Sequence, residues 1–416
     1  MEKIAVAGAG IAGLSTAWHL QKDGFETVVF EAGHKPGGRM VTESFDGFFM
    51  DAGASFITSL YTKTLQVADE LGMSGEVKPV YHSNFVIKRD GDFHELKPAS
   101  LLSAIKFTGV SLREKLSLVK LVPPILLNFT KLDMHHLEKG LSLDDQSVYD
   151  YFERLCGKEA CESLIDTAMS SFFLYSSREL SRLLGLMFMR YFLSLKVLCF
   201  EHGMGSFSDR LARELTTYYD SPVRRISEKG DQIQVEVDKD GQRDIMDFDA
   251  VVVAVQGDLV PEIVEDLSPA DREFFQSIEY SKTYVVGLKS SVPLTETFFP
   301  IFIPAKESSI AALMMLEDSK DPTRIPAGKG LLQVFTRDKW SKDFQGNLDE
   351  AGEIISHEAE RIYPPIKGNI TGFKVFLWER AVDKFPAGIY GKIDKFWKER
   401  NPKSRLFYAG AYLQTP

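Results

Sequence analysis

Residues 4–7 (I-A-V-A) and 27–30 (T-V-V-F) are continuous short apolar runs, as in strands buried on both faces. The stretch between them, to about residue 23, has the composition of a helix. A strand, a helix and a strand in so short a span predict a βαβ unit. A helix near 64–71, closed by Gly72, completes this first piece. From residue 79 the pattern changes. Short strands at 84–88 and 93–96 give way to helical segments rich in Leu, Phe and Met, and residues 180–200 are apolar nearly all round, as expected of a helix buried on several sides. A meander follows from Pro222, with I-Q-V-E-V at 233–237 alternating as a half-buried strand, then a strand at 246–248 and a buried run at 250–255. Strands at 283–288, 298–304, 310–316 and 330–336 and a helix at 348–362 come next, and near Gly368 the chain crosses back.

With 416 residues, two domains are the natural expectation. Hydrophobic residues make up 44% and charged residues 26%, which excludes a disordered or membrane-spanning class. A net charge of -10 argues against general nucleic-acid binding, which needs a basic face. Within this acidic chain, residues 101–131 carry Lys106, Arg113, Lys115, Lys120 and Lys131 against Glu114 alone. That stretch admits two readings, a helical cap with a solvated basic face or a peripheral contact with a membrane surface; Pro123-Pro124 interrupts any long helix there. Cys156, Cys161 and Cys199 have neither disulfide-framework nor zinc spacing, so no metal site is expected. Nothing resembling a signal peptide precedes residue 3, and a reducing cytoplasm is the expected location, with membrane association as the second reading.

The first turn carries the clearest chemistry. Gly8, Gly10 and Gly13 have the G-x-G-x-x-G spacing between strand and helix, and Glu31 ends the second strand 21 residues after Gly10. Gly8 permits the tight turn, Gly10 lets a pyrophosphate approach the backbone, and Gly13 brings the helix onto the strand. The helix N-terminus, with Ile11 and Ala12, then faces the phosphates, and Glu31 and Ala32 lie at the ribose. A carboxylate at 31 disfavours a 2′-phosphate and hence NADP.

Beyond Glu31 come Gly37-Gly38-Arg39-Met40 and then M-D-A-G-A-S-F at 50–56. These runs resemble the Gly-Gly-Arg and D-x-G motifs of the flavin amine oxidase superfamily, which includes monoamine oxidases, protoporphyrinogen oxidases and carotenoid desaturases. The resemblance covers nearly the whole chain. It implies an α/β protein: a Rossmann-type FAD-binding domain from residues 1–78, 203–275 and 369–416, with an inserted α+β substrate domain from 79–202 and 276–368. It also implies noncovalent FAD, touched by Gly37, Gly38, Arg39, Met40, Gly53, Ala54 and Ser55, by Val223 at the adenine and by Ala254 near the flavin. Residues 144–181 resemble the substrate-domain core of protoporphyrinogen oxidases, and 200–215 the helix entry of the family.

The implied activity is hydride removal from a C–N or C–C bond of a bulky, lipophilic small molecule, with O2 as acceptor. Three catalytic candidates follow from the resemblance. Lys282 matches a lysine that holds a water at the flavin in amine oxidases, with Lys289 as a rival and a solvated strand-end lysine as the plain alternative. Trp378 and Tyr390, in W-E-R-A-V-D-K-F-P-A-G-I-Y, match a segment that sandwiches substrate or packs on the sheet; Asp383 replaces its proline. Near the end, Gly410-Ala411 stands where relatives have A-G-D or A-G-E, and the sequence stops at Pro416, before a helix that faces the flavin in relatives. Either the sequence continues further or flavin binding is weakened. The alternatives to an oxidase are an NAD-dependent dehydrogenase, a desaturase that makes no peroxide, and a catalytically impaired flavin-fold protein.

Overall fold

The structure, a computed structural model, describes residues 2–97, 106–192, 194–239 and 241–414. The apolar runs become adjacent strands of one parallel sheet, in the order Thr216–Tyr218, Glu26–Phe30, Lys3–Ala7, Ala250–Val253, Leu406–Tyr408. They lack a polar face because both faces are covered. Ile4, Val6, Val29 and Val252 meet Leu14 of helix Ile11–Lys22 and Phe207 and Leu211 of helix Gly205–Arg213. Ala5, Ala7, Val28, Phe30, Val251 and Val253 face the meander Val223–Lys229, Gln232–Lys239, Gln242–Phe248, which turns Ile233, Val235 and Val237 inward as its alternation requires.

A second sheet of seven strands runs in the order Ile370–Trp378, Thr283–Ser290, Gly330–Thr336, Ala311–Leu316, Pro300–Phe302, Phe85–Arg89, Asp92–Leu96. One face packs Tyr284, Val286, Leu332 and Val334 on Ala351, Ile355 and Ala359 of helix Leu348–Ile362. The other turns Val285, Leu331 and Phe335 toward Met50 of the hairpin Thr42–Phe45/Phe48–Asp51. Two expectations change. The boundary at 368/369 falls one strand early, because Ile370–Trp378 hydrogen-bonds along Thr283–Ser290 and packs Phe373, Val375 and Leu377 on the helix side of this sheet. The helix expected to reach 200 stops at Phe192, and Val197–Phe200 is a strand between Ile57–Thr58 and Val77–Pro79, as the V-L-C-F run suits.

Asp51 joins these parts. Its carboxylate is wholly buried and uses both oxygens: Oδ1 accepts from Thr42 Oγ1 at 2.6 Å and the Met204 N–H at 2.7 Å, and Oδ2 meets Lys320 Nζ at 2.6 Å and Arg324 Nη1 at 2.8 Å. Arg324 also donates to the Phe200 carbonyl. Burial alone would push this carboxyl up, but Lys320 and Arg324 outweigh it and hold it below the usual range. Glu317 is the opposite case. It is equally buried, with Lys320 Nζ 3.3 Å away but no well-formed hydrogen bond to either oxygen, and burial pushes its carboxyl up.

Asp51→Asn removes the carboxylate that two buried cations share, leaving Lys320 beside Glu317 and Arg324 beside Asp321 at 3.3 Å each, and is expected to destabilise the fold by about 3–5 kcal/mol. Glu317→Gln, at a carboxyl that meets Lys320 only at 3.3 Å and makes no well-formed hydrogen bond, should cost less than Asp51→Asn. Because the folded pKa of Asp51 is lowered, its contribution is complete above the ordinary carboxylate range and is lost as pH falls through the folded value. Urea unfolding across acidic pH should therefore show a shallower acid limb for Asp51→Asn than for the parent.

Candidate functional site

Four of the parallel strands end on one edge, and each delivers a piece of the site. After Lys3–Ala7, Gly8 takes φ +108, and a Cβ there would stand 2.7 Å from the Ala254 carbonyl oxygen. A Cβ on Gly13 would fall 2.0 Å from the Gly8 oxygen, so the helix begins in contact with the turn. Gly10 differs: its backbone is ordinary extended chain and an added Cβ would meet nothing within 4 Å. The helix that Gly10 opens, with Ile11 and Ala12 half-buried in its first turn, has no side-chain cap and no acidic residue there, so its first N–H groups remain for an anion.

After Glu26–Phe30, the Glu31 carboxylate accepts the Ala9 N–H at 2.7 Å and the Gly33 N–H at 2.8 Å, which fixes it beside the glycine turn, with Ala32 exposed next to it. The Ser221 N–H donates to the Glu31 carbonyl at 2.8 Å and brings half-buried Val223 to the same corner. After Ala250–Val253, Ala254 donates to the Ala7 carbonyl at 2.8 Å. After Leu406–Tyr408, Ala409 donates to the Val253 carbonyl at 3.0 Å, so Gly410 and half-buried Ala411 reach this edge.

The second glycine pair docks on the first. The Gly37 N–H donates to the Ala9 carbonyl at 2.8 Å, Gly37 and Gly38 take φ +112 and +57, and a Cβ on Gly38 would lie 3.3 Å from the Gly10 Cα. Arg39 then reaches outward, its Nη1 donating to the Ala381 carbonyl and to Asp383 Oδ2 at 2.9 Å each, with the guanidinium 5.8 Å from the Tyr280 ring. Gly53 backs onto Arg39, where a Cβ would stand 2.1 Å from the Arg39 oxygen. Exposed Ala54 donates its N–H to the same oxygen at 2.9 Å. Ser55 is buried, 3.2 Å from Gln333 Oε1, while Gln333 Nε2 donates to the Asp51 carbonyl at 2.6 Å. Met40 turns inward to pack with Leu14 and Val29, so only its backbone borders the turn.

The three catalytic candidates do not converge. Trp378 stands at the joint between the two sheets and donates Nε1–H to the Ala52 carbonyl at 2.7 Å, one residue from Gly53. Lys282 lies on the other face of its sheet, its ammonium 3.1 Å from Glu379 and 6.0 Å from the ring of Tyr284, which packs against Trp340 and Phe344. The rival Lys289 pairs with Asp46 at 2.5 Å. Tyr390 is buried in the helical core, stacked on Phe385 at 5.7 Å, and burial pushes its phenol well above the usual value. Gln333 gives no isolated sequence signal, because the sheets alone bring it to the glycine edge, whereas Asp51 is the acid of the D-x-G run. Asp383 is legible only as the residue that stands where the resembling motif has a proline. Its Oδ2 holds Arg39 and its buried Oδ1 has no partner within the protein.

The chain belongs to the family of flavin-containing amine oxidoreductases, whose sequence profile matches residues 11–415. The mitochondrial protoporphyrinogen oxidase of Nicotiana tabacum is 33% identical over 166 residues, 40% of this chain and 31% of the tobacco protein. The coproporphyrinogen III oxidase of Staphylococcus aureus is 23% identical over 175 residues, 41% and 36% of the two chains. The matched stretch is thus about a third of the length of these relatives. A double mutant of putrescine oxidase has the same fold with a TM-score of 0.78 at 18% identity, over 99% of this chain and 94% of that one. Cyclohexylamine oxidase from Brevibacterium oxydans gives 0.73 at 16%, over 99% and 94%.

The chain is thus a member of a flavin-containing family, and the strand edge fits FAD as the cofactor. Gly10 leaves room where a pyrophosphate approaches, the uncapped helix start supplies N–H donors, and Asp383 Oδ1 is a buried acceptor without a protein partner. Gly10→Val should keep the parent melting temperature, since its side chain enters open space, yet lower FAD affinity at least about hundredfold by filling the phosphate approach. Gly13→Val should instead fail to fold stably, having the Gly8 carbonyl in its way. Flavin fluorescence quenching and thermal unfolding, measured together on both variants, check the distinction.

Proposed function

We propose that the enzyme removes a hydride from a C–N or C–C bond of a bulky, largely apolar substrate and passes the electrons to O2. The observation that carries this reading is a line of phenylalanine rings leading away from the cofactor edge. Phe56, next to Ser55, meets Phe172 edge-on at 5.8 Å and Phe299 at 6.0 Å. Phe172 meets Phe188 at 5.4 Å, Phe188 meets Phe192 at 5.8 Å, and Phe192 meets Phe85 at 6.0 Å. Phe56, Phe172, Phe188 and Phe192 are half-buried, so each offers some ring surface while Phe85 and Phe299 close the core behind them.

A donor with an apolar body gains about 25 cal/mol for each Å² it buries on such rings. A small charged amine finds no carboxylate in the line and gives up its hydration without return. FAD supplies the hydride acceptor when bound, so the protein needs no nucleophile of its own. In this reading the glycine turns and Glu31 hold the nucleotide half, Arg39 with Asp383 fixes the turn that leads to the ring, and Gly53–Ser55 with Trp378 form the wall where the donor carbon is placed. The phenylalanines keep water from it. O2 as acceptor is carried over from the oxidases to which the chain is similar.

Anaerobic titration of the FAD-loaded protein with amines, porphyrinogens and polyenes tests this. The expected result is that a bulky apolar donor bleaches the flavin band and that air restores the band with release of peroxide. Phe188→Ala is expected to raise KM for that donor about tenfold, the worth of a lost ring contact, with FAD affinity unchanged. Bleaching by small polar amines alone would overturn the substrate class, and reoxidation without peroxide would favour the desaturase alternative.

A further inference from the structure

We infer that the helical segment 112–131 docks the protein on an anionic lipid bilayer. The segment comprises helices Leu112–Leu118 and Val122–Leu127 with single 3-10 turns at Val119–Leu121 and Phe129–Lys131. It carries two apolar stripes at helical spacing, and only one is used by the fold. The inner stripe packs Leu118, Leu121, Ile125 and Leu132 on the helical core around Val148 and Leu183. The outer stripe, residues 112, 116, 119, 122, 126 and 129, follows i, i+4, i+7 steps and faces water. Leu112 is 74% exposed, Leu116 65%, Leu126 65% and the neighbouring Leu127 83%. So dense a group of exposed large apolar side chains on one short segment marks an interaction surface.

Two anchors hold the segment in this pose. Glu114 is turned inward, where it closes a capping box with Ser111, accepts from Ser163 at 3.0 Å and pairs with Arg89 at 3.3 Å. Arg190 of helix Arg182–Phe192 donates to the Phe129 carbonyl at 2.8 Å and to that of Leu132, and covers the Phe129 ring at 4.0 Å. The outer leucines therefore cannot be buried by a simple rotation of the segment.

Charge selects the occupant. With Glu114 withdrawn, the charged groups left beside the stripe are basic: Arg113, Lys120 and Lys131 are exposed, with Lys106 just before, on a protein of net charge -10. A second copy of the chain would set like charges against each other, whereas anionic headgroups over an acyl layer satisfy both the cations and the leucines. Among the described residues no helix is long and apolar enough to cross a membrane, so the contact is with the surface of the bilayer. Residues 101–105 of the basic stretch lie outside the described residues.

Flotation of the FAD-loaded full chain with vesicles of phosphatidylcholine alone, or of equal parts phosphatidylcholine and phosphatidylglycerol, tests the inference. Binding is expected on the mixed vesicles, weaker on the neutral ones and falling with added salt. Leu127→Glu should lower the partition coefficient at least about tenfold, and Lys120→Glu about fivefold or more, both with parent melting temperature and flavin spectrum. Leu348→Glu, at an exposed leucine elsewhere, should bind as the parent does. Three results would overturn the inference: no flotation on either vesicle, flotation unchanged by Leu127→Glu, or a dimer that Leu127→Glu dissociates while neither form binds lipid.

Discussion

A carboxylate removed from water between two cations sets the geometry on which the rest of this protein depends. Asp51 could be buried only because Thr42, the Met204 N–H, Lys320 and Arg324 together replace its hydration, and those four groups come from the hairpin, the turn after strand Val197–Phe200 and the connection between strands Ala311–Leu316 and Gly330–Thr336 of the second sheet. The next residues along the chain, 52–55, are where Trp378, Arg39 and Gln333 converge. Pinning Asp51 thus sets the distance between the parallel sheet and the seven-stranded sheet. Hydrophobic contact between the sheets is non-directional, whereas the ion pairs fix a register.

The cofactor edge illustrates a complementary constraint, that of backbone approach. Gly8, Gly13, Gly37 and Gly53 are each pressed against a neighbouring carbonyl at distances that no Cβ tolerates, while Gly10 alone opens on space. Four glycines make the loops fit one another and the fifth leaves room for the ligand. The same edge gathers Glu31, Ala254 and Gly410 because parallel strands all end on one side of a sheet.

Much of this was legible in the sequence, and what was not follows a pattern. Lys3–Ala7, Glu26–Phe30 and Leu348–Ile362 could be read closely because local period and caps determine them. Strand Ile370–Trp378 was expected in the wrong part, since which sheet a strand joins depends on partners far away in sequence. The glycine turns were identified from spacing, and the structure assembles them at one edge. Lys282 and Tyr390 match positions of a resembling motif, but the face a side chain takes depends on strand parity and helix phase, and these send Lys282 to Glu379 and Tyr390 into the helical core. Gln333 carries no motif, and Asp383 stands out only as a departure from one.

We propose that the edge built from Gly8–Gly13, Glu31 and Gly37–Arg39 holds FAD. Equilibrium dialysis of the full chain against FAD, with NAD in excess as competitor, measures this most directly. One FAD bound per chain and undisturbed by NAD is the predicted result; displacement of FAD by NAD, or a protein that takes up no flavin, would contradict it.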